Sequence, residues 1–192
     1  MKPPPAVDYP AGPEVPMLVL YNLIDPIARL IVNLSRIVII VSGVALTIVT
    51  TANVLARYML SSGGFSFAQE LPMLIFPWFI LSGIVLAAHM GGHMAVEWLY
   101  DKLHGNLRLG AFALSGAISI ASFLVLAYQS VLVAEIASVE SSPVLGIPNS
   151  VGYYALAVGA LLISVVTVAA TLRVFKKGWE YRIELAAVEI PL

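Results

Sequence analysis

The sequence predicts an all-α membrane protein: four transmembrane helices, plus amphipathic interfacial helices before span 1 and between spans 2 and 3. Three observations predict it. Of 192 residues, 60% are hydrophobic and only 11% charged, against about 25% charged in an ordinary soluble domain, so the chain lacks the polar surface to cover itself in water. Four uncharged runs stand close to the roughly 20 residues that cross a hydrocarbon core of about 30 Å. Charges sit at the edges of those runs and not within them, as expected when each costs about 2.5–3.5 kcal/mol at mid-membrane.

The elements follow in chain order. Residues 1–16 include Pro3, Pro4, Pro5, Pro10, Pro13 and Pro16, with little that packs, and are expected to be a disordered cytoplasmic tail. The apolar run Met17–Leu20 is too short for a cleavable signal peptide, whose apolar core takes about 7–15 residues. A single four-helix domain is expected over 17–183, with a second cytoplasmic tail at 184–192. Asp25-Pro26 has the form of an N-cap followed by proline at the first helical position. Asn22, Asp25, Arg29, Asn33 and Arg36 then form a polar stripe opposite Leu23, Ile27, Leu30, Ile31 and Leu34. That pattern predicts a helix over about 23–36 lying at the membrane surface.

The spans are expected at about 37–56, 71–90, 109–134 and 151–174. Ser66-Phe67-Ala68-Gln69 has the spacing of a capping box opening the second, which Pro72 and Pro77 are expected to kink. Between spans 2 and 3, about 94–104, Val96, Leu99, Tyr100 and Leu103 share one helical face and Glu97, Asp101 and His104 the other. Gly105-Asn106 ends this second flat helix. Orientation follows from Lys and Arg. Arg29 and Arg36 precede span 1, Lys102 and Arg108 separate spans 2 and 3, and Arg173, Lys176, Lys177 and Arg182 follow span 4, whereas the alternate side carries only Arg57. Both termini are therefore expected in the cytoplasm.

Little in the sequence points to chemistry. There is no cysteine, and a net charge of −1 favours no nucleic-acid partner. His89, His93 and Glu97 are spaced by four, which on an unbroken helix brings two imidazoles to one ion. Gly91-Gly92 interrupts them and no further ligand is near, so polar residues at a helix elbow are the simpler reading. All three histidines lie toward one membrane face, which does not suit a haem between two helices. Arg57 ends span 1 and Glu70 opens span 2, each complementary to its helix dipole; either the two pair and clamp that hairpin, or they stand as independently solvated interfacial charges. Small residues at helical spacing mark packing faces: Ala113, Ala117 and Ala121, Ser115 and Ser119, then Gly152, Ala155 and Gly159. No span holds an acid or base at mid-depth, where a carrier places its ion site; only Asn53 and Gln129 are strongly polar there. No inverted repeat, nucleophile–base pair or phosphate loop is present.

From Arg57 to Glu97 the chain resembles the DctQ-like small permease subunits of tripartite ATP-independent periplasmic (TRAP) transporters. The residues that carry the likeness are Arg57-Tyr58 ending span 1, Gln69-Glu70-Leu71 opening span 2, Trp78 and Gly83 within it, and Gly92-His93 with Val96-Glu97 entering the flat helix. Pro143-Val144-Leu145-Gly146-Ile147-Pro148 before span 4 also fits, as do the length and the four spans. The chain departs from the pattern at Phe67, where tryptophan is common, at Gln69, which replaces the first of two acids, and at Asn149-Ser150, where a tryptophan often follows the loop proline. Its amino-terminal tail is also longer than usual.

The resemblance implies a multi-pass protein of the bacterial inner membrane that carries no cofactor and is no enzyme. It implies a larger DctM-like permease subunit, encoded separately or fused, that moves substrate and sodium in symport, and a DctP-like periplasmic solute-binding protein that delivers an organic acid. Besides membrane lipids, these are the partners expected. The small subunit is then a scaffold beside the moving part and a portion of the docking surface, to which Glu135 and Glu140 on the cation-free loop can contribute. A membrane-anchored electron-transfer subunit using His89 and His93 is one alternative. A stand-alone small multidrug-type transporter is another, and it needs an intramembrane carboxylate that this sequence lacks.

Overall fold

The computed structural model describes residues 15–60, 63–90 and 102–182. Within them stand four helices, α1 (Val15–Met59), α2 (Phe67–His89), α3 (Asn106–Ala137) and α4 (Ser150–Lys177), followed by a 3-10 turn at Trp179–Arg182. Each helix is long and apolar enough to cross a membrane. They alternate in direction. The end of α1 meets the start of α2 where the Phe65 N–H donates to Asn53 Oδ1 at 2.9 Å. The start of α2 in turn touches the loop between α3 and α4 through Glu70. At the opposite end, Arg173 of α4 meets His89 of α2, and Lys176 of α4 meets Asn22 of α1. The molecule therefore has a loop end and a tail end.

α4 is the centre. It packs against α1, α2 and α3, while α3 packs on α4. Over half of its apolar window, 56%, is buried, against 6% in α1 and in α3. Composition explains the choice. Ala155, Ala157, Gly159, Ala160, Ser164, Thr167, Ala169 and Ala170 are all buried, and without an aqueous hydrophobic drive between helices in lipid, small side chains that let backbones approach are what makes packing favourable. Leu81 of α2 sits against Gly159 so closely that a Cβ there would lie 2.7 Å from Leu81 Cδ2 and 2.9 Å from Leu81 Cβ. On the other flank a Cβ at Gly116 of α3 would meet Thr171 Oγ1 at 2.9 Å. Ser164, Thr167 and Thr171 return their hydroxyl protons to the carbonyls of Ala160, Ile163 and Thr167, so none is left unsatisfied inside the protein.

Three sequence expectations are corrected here. The surface helix at 23–36 and the span at 37–56 form one helix of 45 residues, about 67 Å at 1.5 Å per residue. Asp25 is no N-cap, and Pro26 lies inside the helix. An interior proline costs about 3 kcal/mol; what offsets it is a buried seam at three- and four-residue spacing, Tyr21, Asp25, Ala28, Val32 and Ser35, taken up again two turns on at Ser42. Asp25 pairs instead with Arg29 one turn on, at 2.7 Å. Lys176 fastens this arm, donating to Asn22 Oδ1 at 3.0 Å and lying 4.1 Å from the Tyr21 ring centroid. The polar stripe of Asn22, Arg29, Asn33 and Arg36 remains exposed, as the amphipathic pattern requires.

The second correction concerns Ser66, whose side chain makes no capping bond and whose own backbone is helical. The first N–H groups of α2 turn to backbone carbonyls instead, Ala68 to Phe65 at 3.1 Å and Gln69 to Ser66 at 3.4 Å. The small-residue stripe expected on α3 is also displaced. Ala117 and Ala121 are exposed, and the buried positions are Ala127, Ser130 and Ala134. Most of the flat helix expected at 94–104, with His93, Glu97 and Trp98, lies outside the described residues.

If α4 is packed as described, Gly159→Ala destabilises the protein in detergent by about 1–3 kcal/mol, measured by reversible unfolding. Adding Leu81→Ala recovers part of the loss, because the Cδ overlaps vanish while the Cβ contact stays.

Candidate functional site

The most elaborate polar arrangement lies at the loop end. Residues 138–149 connect α3 to α4, and Pro143 and Pro148 bracket a turn that only glycine suits, since Gly146 has φ +65°. The loop folds back on itself. The Asn149 N–H donates to the Glu140 carbonyl at 3.0 Å, the Ser142 N–H to the Ile147 carbonyl at 2.9 Å and the Gly146 N–H to the Ser142 carbonyl at 2.9 Å. Ser141 and Pro148 form an antiparallel bridge.

Glu70, in the first turn of α2 where the helix dipole favours an acid, reaches across to this loop. Its carboxylate accepts from the Val144 N–H at 3.0 and 3.1 Å, from the Leu145 N–H at 2.9 Å and from the Ser142 hydroxyl. Three donors thus converge on one carboxylate across more than seventy residues of sequence, and charge-assisted bonds of this kind are the strong ones. The paired alternative for Arg57 and Glu70 is therefore replaced. The carboxylate satisfies the Val144 and Leu145 N–H groups of the loop, while Arg57 at the end of α1 stays exposed. Sequence reasoning found Glu70 and missed Ser142. The available signal was an acid at one helix start and a proline-bracketed loop before another.

The remaining candidates stand apart from this cluster. Glu135 and Glu140 are exposed; the Glu135 carbonyl caps the end of α3 by accepting from Ser138 Oγ at 2.6 Å, and Glu140 accepts from Asn149 Nδ2 at 3.4 Å. Trp78 is 38% exposed on the flank of α2. A Cβ on Gly83 would make an ordinary 3.5 Å contact with Ile39, so close approach does not require glycine there.

At the tail end His89 is buried, and its Nδ1 lies 3.3 Å from Arg173 Nη2, also buried. A guanidinium beside that nitrogen is electrostatically opposed to a metal cation on it. Among the described residues no three His, Asp, Glu or Cys side chains gather around a point; His93 and Glu97, the other two of the proposed set, are outside those residues. Arg108, at the start of α3, stacks over Trp179 with its guanidinium carbon 4.4 Å from the ring centroid. Trp179 also meets Phe112 edge-on at 5.8 Å. These contacts tie helix ends together. None pairs a nucleophile with a base.

The family described as "Tripartite ATP-independent periplasmic transporters, DctQ component" matches residues 46–177, which takes in α2, α3, α4, their connections and the last turns of α1. A protein of Sinorhizobium fredii (strain NBRC 101917 / NGR234), named "Uncharacterized protein y4mM", is 58% identical over 179 residues. The alignment covers 93% of this chain and 33% of that protein, so the chain spans about a third of the length of the relative it matches.

The Glu70 contacts predict a specific asymmetry. Glu70→Gln, and to a lesser degree Ser142→Ala, speed amide hydrogen exchange across 140–149, whereas Arg57→Ala leaves that loop's exchange unchanged. Equal acceleration by Arg57→Ala would restore the clamp between the two helix ends.

Proposed function

Because this chain belongs to the DctQ component family of tripartite ATP-independent periplasmic transporters, and is thus the small membrane subunit of such a transporter, we propose that it works as a fixed frame. The frame stands beside a DctM-like permease part, encoded separately or fused, that carries an organic acid with sodium. The observation that carries the reading is the uneven burial of the spans. α4 has its sides filled by its own neighbours, while α1 and α3 leave long apolar faces outward, among them Leu30, Ile37, Val44 and Ile48 on α1 and Leu114, Ile118 and Val125 on α3. A solute carrier turns polar groups inward, toward a site among its helices. Here the interior holds apolar side chains, small ones together with Leu81, Val85, Ile163 and Val166, beside self-satisfied hydroxyls, and the buried Arg173–His89 pair lies at one end, not at mid-depth.

The count of cations supports tails on the cytoplasmic side of a bacterial inner membrane. That orientation turns the 138–149 loop, with Glu135 and Glu140, to the periplasm, where a DctP-like solute-binding protein would dock partly on it. The electron-transfer and multidrug readings are not favoured, since the family is a transporter component and, among the described residues, no metal-ligating cluster gathers and the carboxylates of the helices stand toward their ends, not at mid-depth.

Reconstitution tests the reading. In liposomes, organic-acid uptake driven by a sodium gradient is expected only when this chain, its large permease subunit and the solute-binding protein are all present. The large subunit should also co-purify with this chain from detergent. Uptake by this chain alone, or full uptake without it, would reject the frame.

A further inference from the structure

The connector between α3 and α4 runs over residues 138–149, where about 2–8 residues usually suffice between neighbouring helices. Closing the turn does not need that length, and a loose loop would be ordered only when something bound it. This loop is ordered in advance. Its Asn149, Ser142 and Gly146 N–H groups close it on itself, but those bonds alone leave it hinged at its two helix ends. Among the described residues, every hydrogen bond from the loop to α1 or α2 ends on the Glu70 carboxylate. Resting on the docking reading above, we infer that Glu70, acting through Ser142, is a positioning residue for docking. It holds the loop in the shape that the soluble periplasmic partner meets.

The groups that the carboxylate takes decide what the loop presents. It holds Val144 and Leu145 by their backbone N–H and Ser142 by its hydroxyl, so the apolar side chains stay free for other contacts. Val144 remains 52% exposed although its N–H is fixed, and Val139 is 87% exposed. Apolar groups held out by a fixed main chain gain when a partner covers them. Charge identifies the kind of partner. The stretch 135–150 carries Glu135 and Glu140 and no Lys or Arg, so anionic headgroups do not attract it. It suits a protein face with an apolar dimple and a basic rim.

Helix packing does not need this latch. α2 is seated on α4 where Leu81 meets Gly159 and again where His89 meets Arg173. The nearer of the two is about 16 Å along α2 from Glu70 at 1.5 Å per residue. Removing the carboxylate therefore loosens the loop and leaves the helices in place. A partner that meets a loosened loop must order it first, which weakens binding.

The test is a binding measurement on the complete membrane transporter, held in nanodiscs on a sensor while the solute-binding protein is passed over it. Glu70→Gln is expected to weaken docking about tenfold, and Ser142→Ala about threefold, the loss that goes with ordering a short loop on binding. Ser142→Thr, which restores the hydroxyl, is expected to bind as wild type does, and Arg57→Ala likewise. The two Ser142 variants keep the test valid if Glu70→Gln fails to co-purify with the large subunit. Unchanged affinity in Glu70→Gln and Ser142→Ala, with amide exchange of the loop accelerated, would overturn the inference. Ser142→Thr binding as weakly as Ser142→Ala would overturn it too, since the hydroxyl would then not be the cause. A wild-type transporter that binds no solute-binding protein at all, with its large subunit present, rejects the docking reading itself.

Discussion

The whole arrangement depends on one helix being thin enough for three others to reach. α4 presents glycine, alanine, serine and threonine at most of its buried positions, and the approach of Leu81 to Gly159 is closer than any side chain at 159 would permit. In water such a helix would bury too little apolar surface to organise a fold. In lipid, where apolar burial earns nothing between helices, close backbone contact is the main attraction left. The larger residues of α1 and α3 consequently face outward. The result is a row of helices ranged about α4, with broad apolar flanks, and not a bundle closed around a cavity.

Much of this was legible in the sequence because bilayer constraints are strong and local. A charge in hydrocarbon is expensive wherever it falls, so four uncharged runs marked four spans with little ambiguity. The family likeness carried by Arg57, Glu70, Trp78, Gly83 and the proline-bracketed loop agrees with the match over residues 46–177. What stayed illegible depended on tertiary contact. Asp25-Pro26 is a start signal by local rules, yet with Tyr21, Ala28 and Val32 buried the helix already runs through it from upstream. Ser66 fits a capping motif but lies in helical conformation, so its hydroxyl cannot fold back onto the following N–H groups. Ala113, Ala117 and Ala121 have ideal spacing for packing, but spacing does not say which side of a helix meets a neighbour.

Glu70 shows the same limit at the candidate site. Its position at a helix start and on the side opposite the tails was evident, and the nearest opposite charge in sequence was Arg57. The carboxylate is instead held by three donors of a loop more than seventy residues away, two of them backbone N–H groups that carry no sequence signature. Arg173 and His89 were likewise visible as span-end residues, whereas their contact required knowing that α2 and α4 finish side by side. Residue type set what each group needed, and the fold chose the partner.

The central place of α4 has a consequence for biosynthesis. It is the last of the four spans to leave the ribosome, so α1, α2 and α3 enter the bilayer before the helix they share exists. Of those three, only α1 and α2 make substantial contact with each other; α3 must wait in the lipid as a solitary span. The gathering of these four helices thus waits on α4, and a nascent chain interrupted before residue 150 leaves correctly inserted helices with no hub to gather them.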